Sequence, residues 1–274
     1  MSMGQLAGGE ILNRALFPAR SLLEQIGDMM ILTGKTVSAV LRPPYPYGGE
    51  FVSQFLFTLR VCWLPLLVST FAISYGAPGL QAANFLTVLG NLDRLGGFFV
   101  LAAVREIGPL ITATMLAGAA GTAITADLGA RKIREELDAL QVLGVDPVKN
   151  LVVPRFLALM LATGLFNIYA ILFGLFGGIL AAVVHHQPLG PFWATFFANT
   201  STTDLWGSTL KTAVFGAIIA IVCCYKGMTA SGGAEGVGRA VNQAVVASFL
   251  AFGSFNYVFT QILLATHPNI LSIR

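Results

Sequence analysis

Apolar residues are concentrated in five stretches of this chain, and polar residues lie mainly between them. A helix needs about 20 mostly apolar residues to cross a hydrocarbon core about 30 Å thick. The stretches lack the alternation that barrel strands show over about ten residues, so the pattern predicts helices. The five predicted spans are Phe51–Ala77, Gly96–Ala126, Leu151–Val184, Trp206–Tyr225 and Ala240–Ala265.

The composition agrees with an all-α integral membrane protein. Apolar residues make up 55% of the 274 positions, charged residues make up 11%, and the mean hydropathy is +0.76. Soluble domains ordinarily contain about 25% charged residues. The length suits one membrane domain and leaves no room for a second globular one.

The lysines and arginines predict the orientation of the chain. Eleven of the 16 lie in segments 1–50, 127–155 and 226–239, whereas two lie on the opposite side and three lie within predicted spans. Because cytoplasmic loops are enriched in Lys and Arg, we predict a cytoplasmic N-terminus and an extracytoplasmic C-terminus. The domain 1–274 then comprises an interfacial segment 1–50, spans one and two in 51–126, a cytoplasmic loop 127–150, spans three to five in 151–265, and an outer tail 266–274.

The N-terminal segment is amphipathic rather than membrane-spanning. Between Ile11 and Leu41 apolar residues recur near helical spacing, with charged residues between them. This pattern is typical of a helix that lies in the cytoplasmic membrane interface. A cytosolic helix packed on the rest of the protein fits the same pattern.

A charged island separates predicted spans two and three. Asp127–Arg155 holds 10 of the 29 charged residues. Asp127–Gly129 is predicted to close span two, Arg131–Leu143 to form a short helix, and Gly144 to end that helix. Such a helix has the shape of a coupling helix that docks on a motor subunit, although a solvated loop helix without a partner fits equally well. One face of this helix is apolar and contains Ile133, Leu137 and Leu140. The other faces contain Arg134, Glu135 and Asp138.

Arg105 and Glu106 place two ionisable groups in the predicted outer half of span two. A charge within a span is costly, by about 2.5–3.5 kcal/mol on insertion scales, so each group should face a partner or a wet cavity. The pair could neutralise neighbouring helices, or Arg105 could offer its guanidinium to a phosphate or carboxylate head group. Arg60 and Lys211, also within spans, are interpreted as structural or snorkelling cations.

Small residues at every fourth position predict close helix packing. Ala170, Gly174, Gly178 and Ala182 form such a face in span three, and Gly118 and Gly121 contribute to one in span two. Without a hydrophobic drive between membrane helices, such faces let backbones approach closely. We interpret them as packing surfaces within the chain.

Motifs for catalysis on this chain are incomplete. Gly34-Lys35-Thr36 resembles the end of a P-loop, but Met29 occupies the position of the first required glycine. The adjacent His185 and His186 would point about 100° apart on a helix, and no third metal ligand is near. We therefore predict a non-catalytic chain without a bound metal.

Six motifs follow one another in the middle of the chain. They are VREIGP at 104–109, LAGAAGTA at 116–123, ADLG at 126–129, IREELDAL at 133–140, LGVDP at 143–147 and LVVPR at 151–155. This block of about fifty residues closely resembles the MlaE/YrbE permease family, the membrane subunits of ABC transporters that work with MCE proteins, and the layout of the whole chain is also similar. One departure is that many members have an arginine where this chain has Ala119 and Ala120. Actinobacterial YrbE proteins often resemble this chain in that respect.

The resemblance implies a multi-pass protein of the bacterial inner membrane with several partners. A cytoplasmic ABC ATPase dimer would hold the ATP and Mg²⁺, so this chain would need no cofactor. A second permease, identical or paralogous, would pair with it, and an MCE hexamer would sit on the outer side. Arg105 and Glu106 would lie by an outward lipid pocket, and no nucleic-acid partner is expected. The implied ATPase-coupling residues are Arg134, Glu135, Glu136, Leu137, Asp138 and Leu140.

Two other functions fit parts of the pattern. An ion-coupled secondary carrier would use Arg105 and Glu106 as a gate or proton site and would work without an ATPase. A membrane scaffold would use its small-residue faces for packing alone. The lack of a visible inverted repeat and the few acids within the spans argue against the carrier.

Overall fold

The computed structural model describes residues 3–43, 45 and 47–266, with side chains from residue 20 onward except residue 21. In that part of the chain every regular element is a helix. Five helices are long and apolar enough to cross a membrane, which confirms the predicted all-α membrane class. The helices are α1 (Met3–Leu41), α2 (Gly48–Val88), α3 (Leu92–Ile133), α4 (Glu136–Val142), α5 (Val148–Val184), α6 (Leu189–Asn199), α7 (Thr202–Met228) and α8 (Gly233–Thr266).

The connections define two ends of the helix bundle. α4 and the turn between α7 and α8 lie at one end, which we call the charged end. α6 and the turn between α2 and α3 lie at the opposite end. The predicted orientation assigns the charged end to the cytoplasm.

The spanning helices extend beyond their apolar cores. α2 has 41 residues and would measure about 62 Å if straight, which is twice the thickness of a hydrocarbon core. Wider π-helical turns interrupt the spanning helices, and such turns are frequent at functional sites. They occupy Tyr75–Gln81 in α2, Val100–Ile107 and Ala117–Gly121 in α3, and Val148–Val152 in α5.

α5 lies at the centre of the bundle, between α2 and α7. Its predicted small-residue face is buried, with Ala170 2% and Ala182 0% exposed. A Cβ atom added to Gly174 would lie 2.8 Å from Ser74 Oγ, and one added to Gly178 would lie 2.6 Å from the Phe99 ring. These glycines therefore allow approaches that a larger residue would prevent.

The two glycines of α3 differ from each other. A Cβ on Gly121 would lie 2.9 Å from Cys223 Sγ in α7, so this position packs closely. Gly118 is exposed, and a Cβ there would meet nothing within 4 Å. The prediction of a packing role within the chain is wrong for Gly118, because no neighbouring helix comes within contact distance of this position.

One side of α1 packs on the rest of the protein, and the other side is exposed. Leu32 and Thr36 are buried, and Leu32 belongs to the same apolar core as Leu151 and Val152 of α5. The other side of α1 exposes a row of large apolar residues, as an interfacial helix would. These are Leu22, Leu23, Ile26, Met30, Ile31, Val37 and Leu41.

The glycine contacts predict opposite effects for two alanine substitutions in helices. Gly178→Ala should lower the free energy of unfolding by about 1–3 kcal/mol, because the new methyl group overlaps the Phe99 ring. Gly118→Ala should be neutral or stabilising, because alanine is the better helix former and its methyl group enters open space. Unfolding of the purified chain in detergent would measure both. Equal stability of the two variants would contradict the packing described here.

Candidate functional site

Arg105 forms a buried ion pair near the opposite end of the bundle. It lies in the π-helical turn Val100–Ile107 of α3, and its Nε is 2.8 Å from Asp204 Oδ1 in α7. Its Nη2 donates to Asp204 Oδ2 at 3.3 Å and to the Asn199 carbonyl at 3.5 Å. The side chains are 13% and 0% exposed, respectively. The guanidinium is thus directed at a carboxylate of its own chain.

Asp204 is fixed by the first turn of α7. Its backbone N–H donates to Ser201 Oγ at 3.2 Å, while the Ser201 N–H donates to Asp204 Oδ2 at 2.9 Å. This reciprocal capping box orients the carboxylate before it meets Arg105. The Ser201-x-x-Asp204 spacing is the sequence signal for this cap, which the apolar pattern does not reveal.

Glu106 is bound by side chains of α7 and α8. Thr260 Oγ1 donates to its Oε1 at 2.8 Å, and Asn256 Nδ2 donates to its Oε2 at 2.9 Å. The Lys211 ammonium lies 3.3 Å from Oε1 and also donates to the Arg105 carbonyl at 2.6 Å. Lys211 is therefore the counter-ion of Glu106 rather than a snorkelling cation.

The four charges form a network, which we call the paired layer (Arg105, Glu106, Asp204 and Lys211). It joins α3 to α7 and, through the amide and hydroxyl donors, to α8. Each charge faces one of opposite sign, as intramembrane ions require. Of the two predicted pocket residues, Arg105 is largely enclosed, whereas the Glu106 side chain is 34% exposed. The geometry favours the neutralising interpretation for Arg105 and leaves Glu106 the more accessible group.

The second candidate site is α4 and the turn before it. The predicted helix Arg131–Leu143 is not continuous, and the predicted end of span two at Asp127–Gly129 is also wrong. α3 continues through the predicted stop at Asp127–Gly129 to Ile133, because Leu128 is buried and Arg131 pairs with Asp127 at 3.1 Å. The chain then turns at Glu135, whose φ is +59°, before α4 begins.

The end of α4 follows the sequence prediction. Gly144 has φ +75°, and its N–H donates to the Gln141 carbonyl. The Val145 N–H donates to the Leu140 carbonyl at 2.9 Å, which completes a Schellman motif. This turn leaves two large apolar residues unburied, since Val142 is 88% and Leu143 is 76% exposed.

The predicted coupling residues separate into inward and outward groups. Leu137 is 3% exposed and Leu140 packs against the same core, so these two hold α4 on the bundle. Among the polar residues, Arg134 pairs with Glu136 at 2.7 Å and Lys132 pairs with Asp138 at 3.0 Å. The hydrogen bond to Glu136 raises the pKa of Arg134.

Arg155 of α5 joins three spanning helices at the charged end. Its side chain is 1% exposed, and its Nη2 lies 2.6 Å from Asp127 Oδ2 in α3 and 3.5 Å from Glu50 Oε1 in α2. Its Nη1 donates to the Leu151 carbonyl of α5 at 2.8 Å. α3, which leads directly into α4, is therefore joined to α2 and α5 at this end of the bundle.

His185 and His186 have structural roles at the opposite end of the bundle. His185 Nε2 lies 3.0 Å from Asn84 Oδ1, and Nδ1 lies 3.0 Å from the Ala181 carbonyl. His186 adopts a positive φ of 54° in the turn after α5. Within the described ranges, no group of three or more potential metal-ligating His, Cys, Asp or Glu residues occurs.

The chain is similar to a family of known proteins. The family described as Permease MlaE matches residues 51–262, which include both candidate sites. The chain belongs to the MlaE permease family. A probable ABC transporter permease protein of Rickettsia felis is 30% identical over 87% of this chain and 92% of its own length.

Two further members of the MlaE permease family have more descriptive names. The intermembrane phospholipid transport system permease protein MlaE of Haemophilus influenzae is 29% identical over 68% of this chain and 72% of its own length. Protein TRIGALACTOSYLDIACYLGLYCEROL 1, chloroplastic, of Arabidopsis thaliana is 33% identical over 74% of this chain and 57% of its own length. Permease membership agrees with a multi-pass membrane protein that is not itself catalytic.

The paired layer predicts strongly coupled substitutions. Arg105→Met and Asp204→Asn should each lower the free energy of unfolding by about 3–5 kcal/mol, because each leaves the other charge buried without its partner. The double variant should lose at least about 1 kcal/mol less than the sum of the two. A double-mutant cycle of unfolding in detergent would measure this coupling.

Arg94→Ala provides the matched control for that cycle. Arg94 is an exposed cation at the same end of α3, so its removal should change stability by less than about 0.5 kcal/mol. Strictly additive losses for Arg105 and Asp204 would show that their contact does not stabilise the fold.

Proposed function

We propose that this chain is the transmembrane permease subunit of an ATP-driven ABC transporter that moves lipids between the membrane and an MCE protein assembly. The observation that carries the proposal is the attachment of α4: an exposed, charged helix at the charged end follows α3 directly and is held on the core of the spanning helices by Leu137 and Leu140. Such an arrangement suits the transfer of movement from a motor subunit into the membrane. Membership of the MlaE permease family supports it.

In this proposal a dimer of separate cytoplasmic ATPases docks on α4. The outward surface combines Glu135, Asp138 and the apolar pair Val142 and Leu143, which is the mixture of an apolar centre and a charged rim that protein interfaces use. ATP and Mg²⁺ would be held on those subunits. The charged end would accordingly face the cytoplasm of a bacterium, with the chain in its inner membrane.

The lipid would enter or leave by the opposite end, where the MCE hexamer would sit. Glu106 is the group of the paired layer that a lipid head group could reach. α8 exposes Tyr257, Val258 and Ile262 to the membrane, so a second permease, identical or paralogous, has an apolar surface to pack on. The relative named for phospholipid transport favours phospholipid, and fatty acids, mycolic acids and sterols remain within the proposed substrate class.

The partial exposure of Glu106 also supports an alternative, the ion-coupled carrier. A carboxylate that is paired with a lysine yet 34% exposed is a suitable proton site. Transport by the isolated chain in proteoliposomes, driven by an ion gradient without ATP, would favour the carrier and contradict the ABC permease.

The docking proposal predicts the effect of removing the acids of α4. The triple variant Glu135→Ala, Glu136→Ala and Asp138→Ala should lose the co-purifying ATPase and reduce the ATPase activity of the preparation at least about tenfold, since charged rim contacts speed and orient association. Leu137 and Leu140 are unchanged in this variant, so α4 should stay folded. Affinity purification followed by an ATPase assay would measure the effect.

The control is Glu235→Ala, which removes an exposed acid from the neighbouring turn at the same end. This variant should purify with normal ATPase activity. If the triple variant also yields an intact and fully active complex, α4 is not the docking element.

The identity of the transported material is tested by native mass spectrometry of the whole complex. We expect two permeases, two ATPases, six MCE chains and at least one retained lipid. A complex that contains the chain without any ATPase would contradict the proposed function.

A further inference from the structure

We propose that the groove between α1, α7 and α8 at the charged end binds one amphiphile with an anionic head group, either a phosphate or a carboxylate. This site is separate from the paired layer, which lies at the opposite end of the bundle. Its binding does not require the proposed transport function.

Lys226 provides the cation of this site. Its ammonium donates to two neutral amide oxygens, Gln25 Oε1 at 2.6 Å and Gln243 Oε1 at 3.2 Å. Among the described residues no carboxylate lies within 4 Å of it. No carboxylate of these residues neutralises it, so an anion could pair with it without displacing an existing ion pair.

Other polar groups surround a space of about 320 Å³ beside Lys226. Arg239 adds a second cation, and it shares its charge with Glu235 at 3.3 Å. The nearby Asp28 accepts from the Tyr225 hydroxyl at 3.2 Å. Thr229 and Ser231 add hydroxyl groups to the lining. Two cations with hydroxyl donors suit a phosphate or carboxylate head group.

An apolar groove of about 710 Å³ continues from this polar space. The two share Gln25, Lys226 and Gln243, so one molecule can occupy both. Along α8 the groove extends from Gln243 to Ser254, which corresponds to about 16 Å of helix. Its apolar lining includes Leu22, Ile26, Met29, Val222, Val246 and Leu250.

The combination identifies the occupant as an amphiphile. A free inorganic anion would leave the apolar groove uncovered. An apolar helix from a partner or from a second copy would cover the groove but would bury Lys226 without a counter-charge, which is strongly unfavourable. A molecule with an acidic head and an acyl chain satisfies both parts, since its chain covers the apolar lining and its head pairs with the cations.

Photolabelling of the purified full-length chain in detergent tests the proposal. The probes are phosphatidylglycerol and phosphatidylcholine, each with a diazirine on one acyl chain, and labelled peptides are mapped by mass spectrometry. Phosphatidylglycerol should label residues 22–29 and 242–254 at least tenfold more strongly than phosphatidylcholine. Excess oleate should compete if a carboxylate head suffices, whereas inorganic phosphate should not.

Two variants and a control connect the labelling to the groove. Lys226→Gln with Arg239→Gln should reduce phosphatidylglycerol labelling to the phosphatidylcholine level. Ala251→Trp, which fills the groove without changing charge, should reduce the labelling by both probes. Lys35→Gln, which removes an exposed cation elsewhere on α1, should leave labelling unchanged. Melting temperatures near that of the parent chain would show that the variants fold.

Several results would overturn the proposal. Equal labelling by the two lipids, or phosphatidylglycerol labelling that survives the loss of both cations, would show that the groove does not select an anion. Competition by inorganic phosphate alone would assign the site to a free anion. Protection of residues 242–254 from both probes in a dimeric preparation of the chain, but not in a monomeric one, would assign the groove to an interface between copies. None of these outcomes involves ATP hydrolysis, so they leave the ABC permease proposal to its own tests.

Discussion

The neutralisation of charge between spanning helices is the constraint on which the rest of this structure depends. Arg155 is almost completely enclosed and has carboxylates from two other helices beside it. Without Asp127 and Glu50 its guanidinium would be a buried charge with no counter-ion, and the three helices would have no shared polar contact at this depth. The same rule operates at the opposite end, where Arg105 requires Asp204 and Glu106 requires Lys211.

α3 connects these two charged regions. Arg105 and Glu106 lie in its first third, Asp127 lies near its other end, and α4 follows after one turn. Two π-helical segments interrupt the helix between its ends, and the first contains the Arg105–Glu106 pair. Wider turns of this kind are less regular than α-helix and offer places where a long helix can change its register. A movement applied at α4 therefore has a direct covalent route to the paired layer.

The sequence predicted the parts of this fold that local physics determines. Five apolar stretches became five spanning helices, and Gly144 ended α4 because its positive φ suits glycine. The end of α3 at Ile133 differs from the predicted end at Asp127–Gly129, because the buried Leu128 and the Arg131–Asp127 pair extend α3 past the apolar stretch.

The partners of the candidate residues depended on contacts that are distant in sequence. Asp204 lies 99 positions from Arg105, and Asn256 lies 150 positions from Glu106. The charge of a single residue shows that a partner is required but does not show which of the available groups supplies it. Gly118 illustrates the same limit for packing, because spacing alone does not reveal which side of a helix meets a neighbour.

A cation that is paired with a carboxylate has a structural role, whereas a cation that is held only by neutral groups is available to an anionic ligand. Arg155, Arg105 and Lys211 each have a carboxylate within 4 Å from another helix, so a ligand would have to displace an existing ion pair to reach them. Lys226 is held by neutral amides, which orient its ammonium without neutralising it. An anion that binds there gains a full charge interaction and displaces none. The charged island that is most prominent in the sequence is therefore largely paired within the chain, whereas the cation best placed to recruit an acidic lipid lies one residue beyond the fourth predicted membrane span.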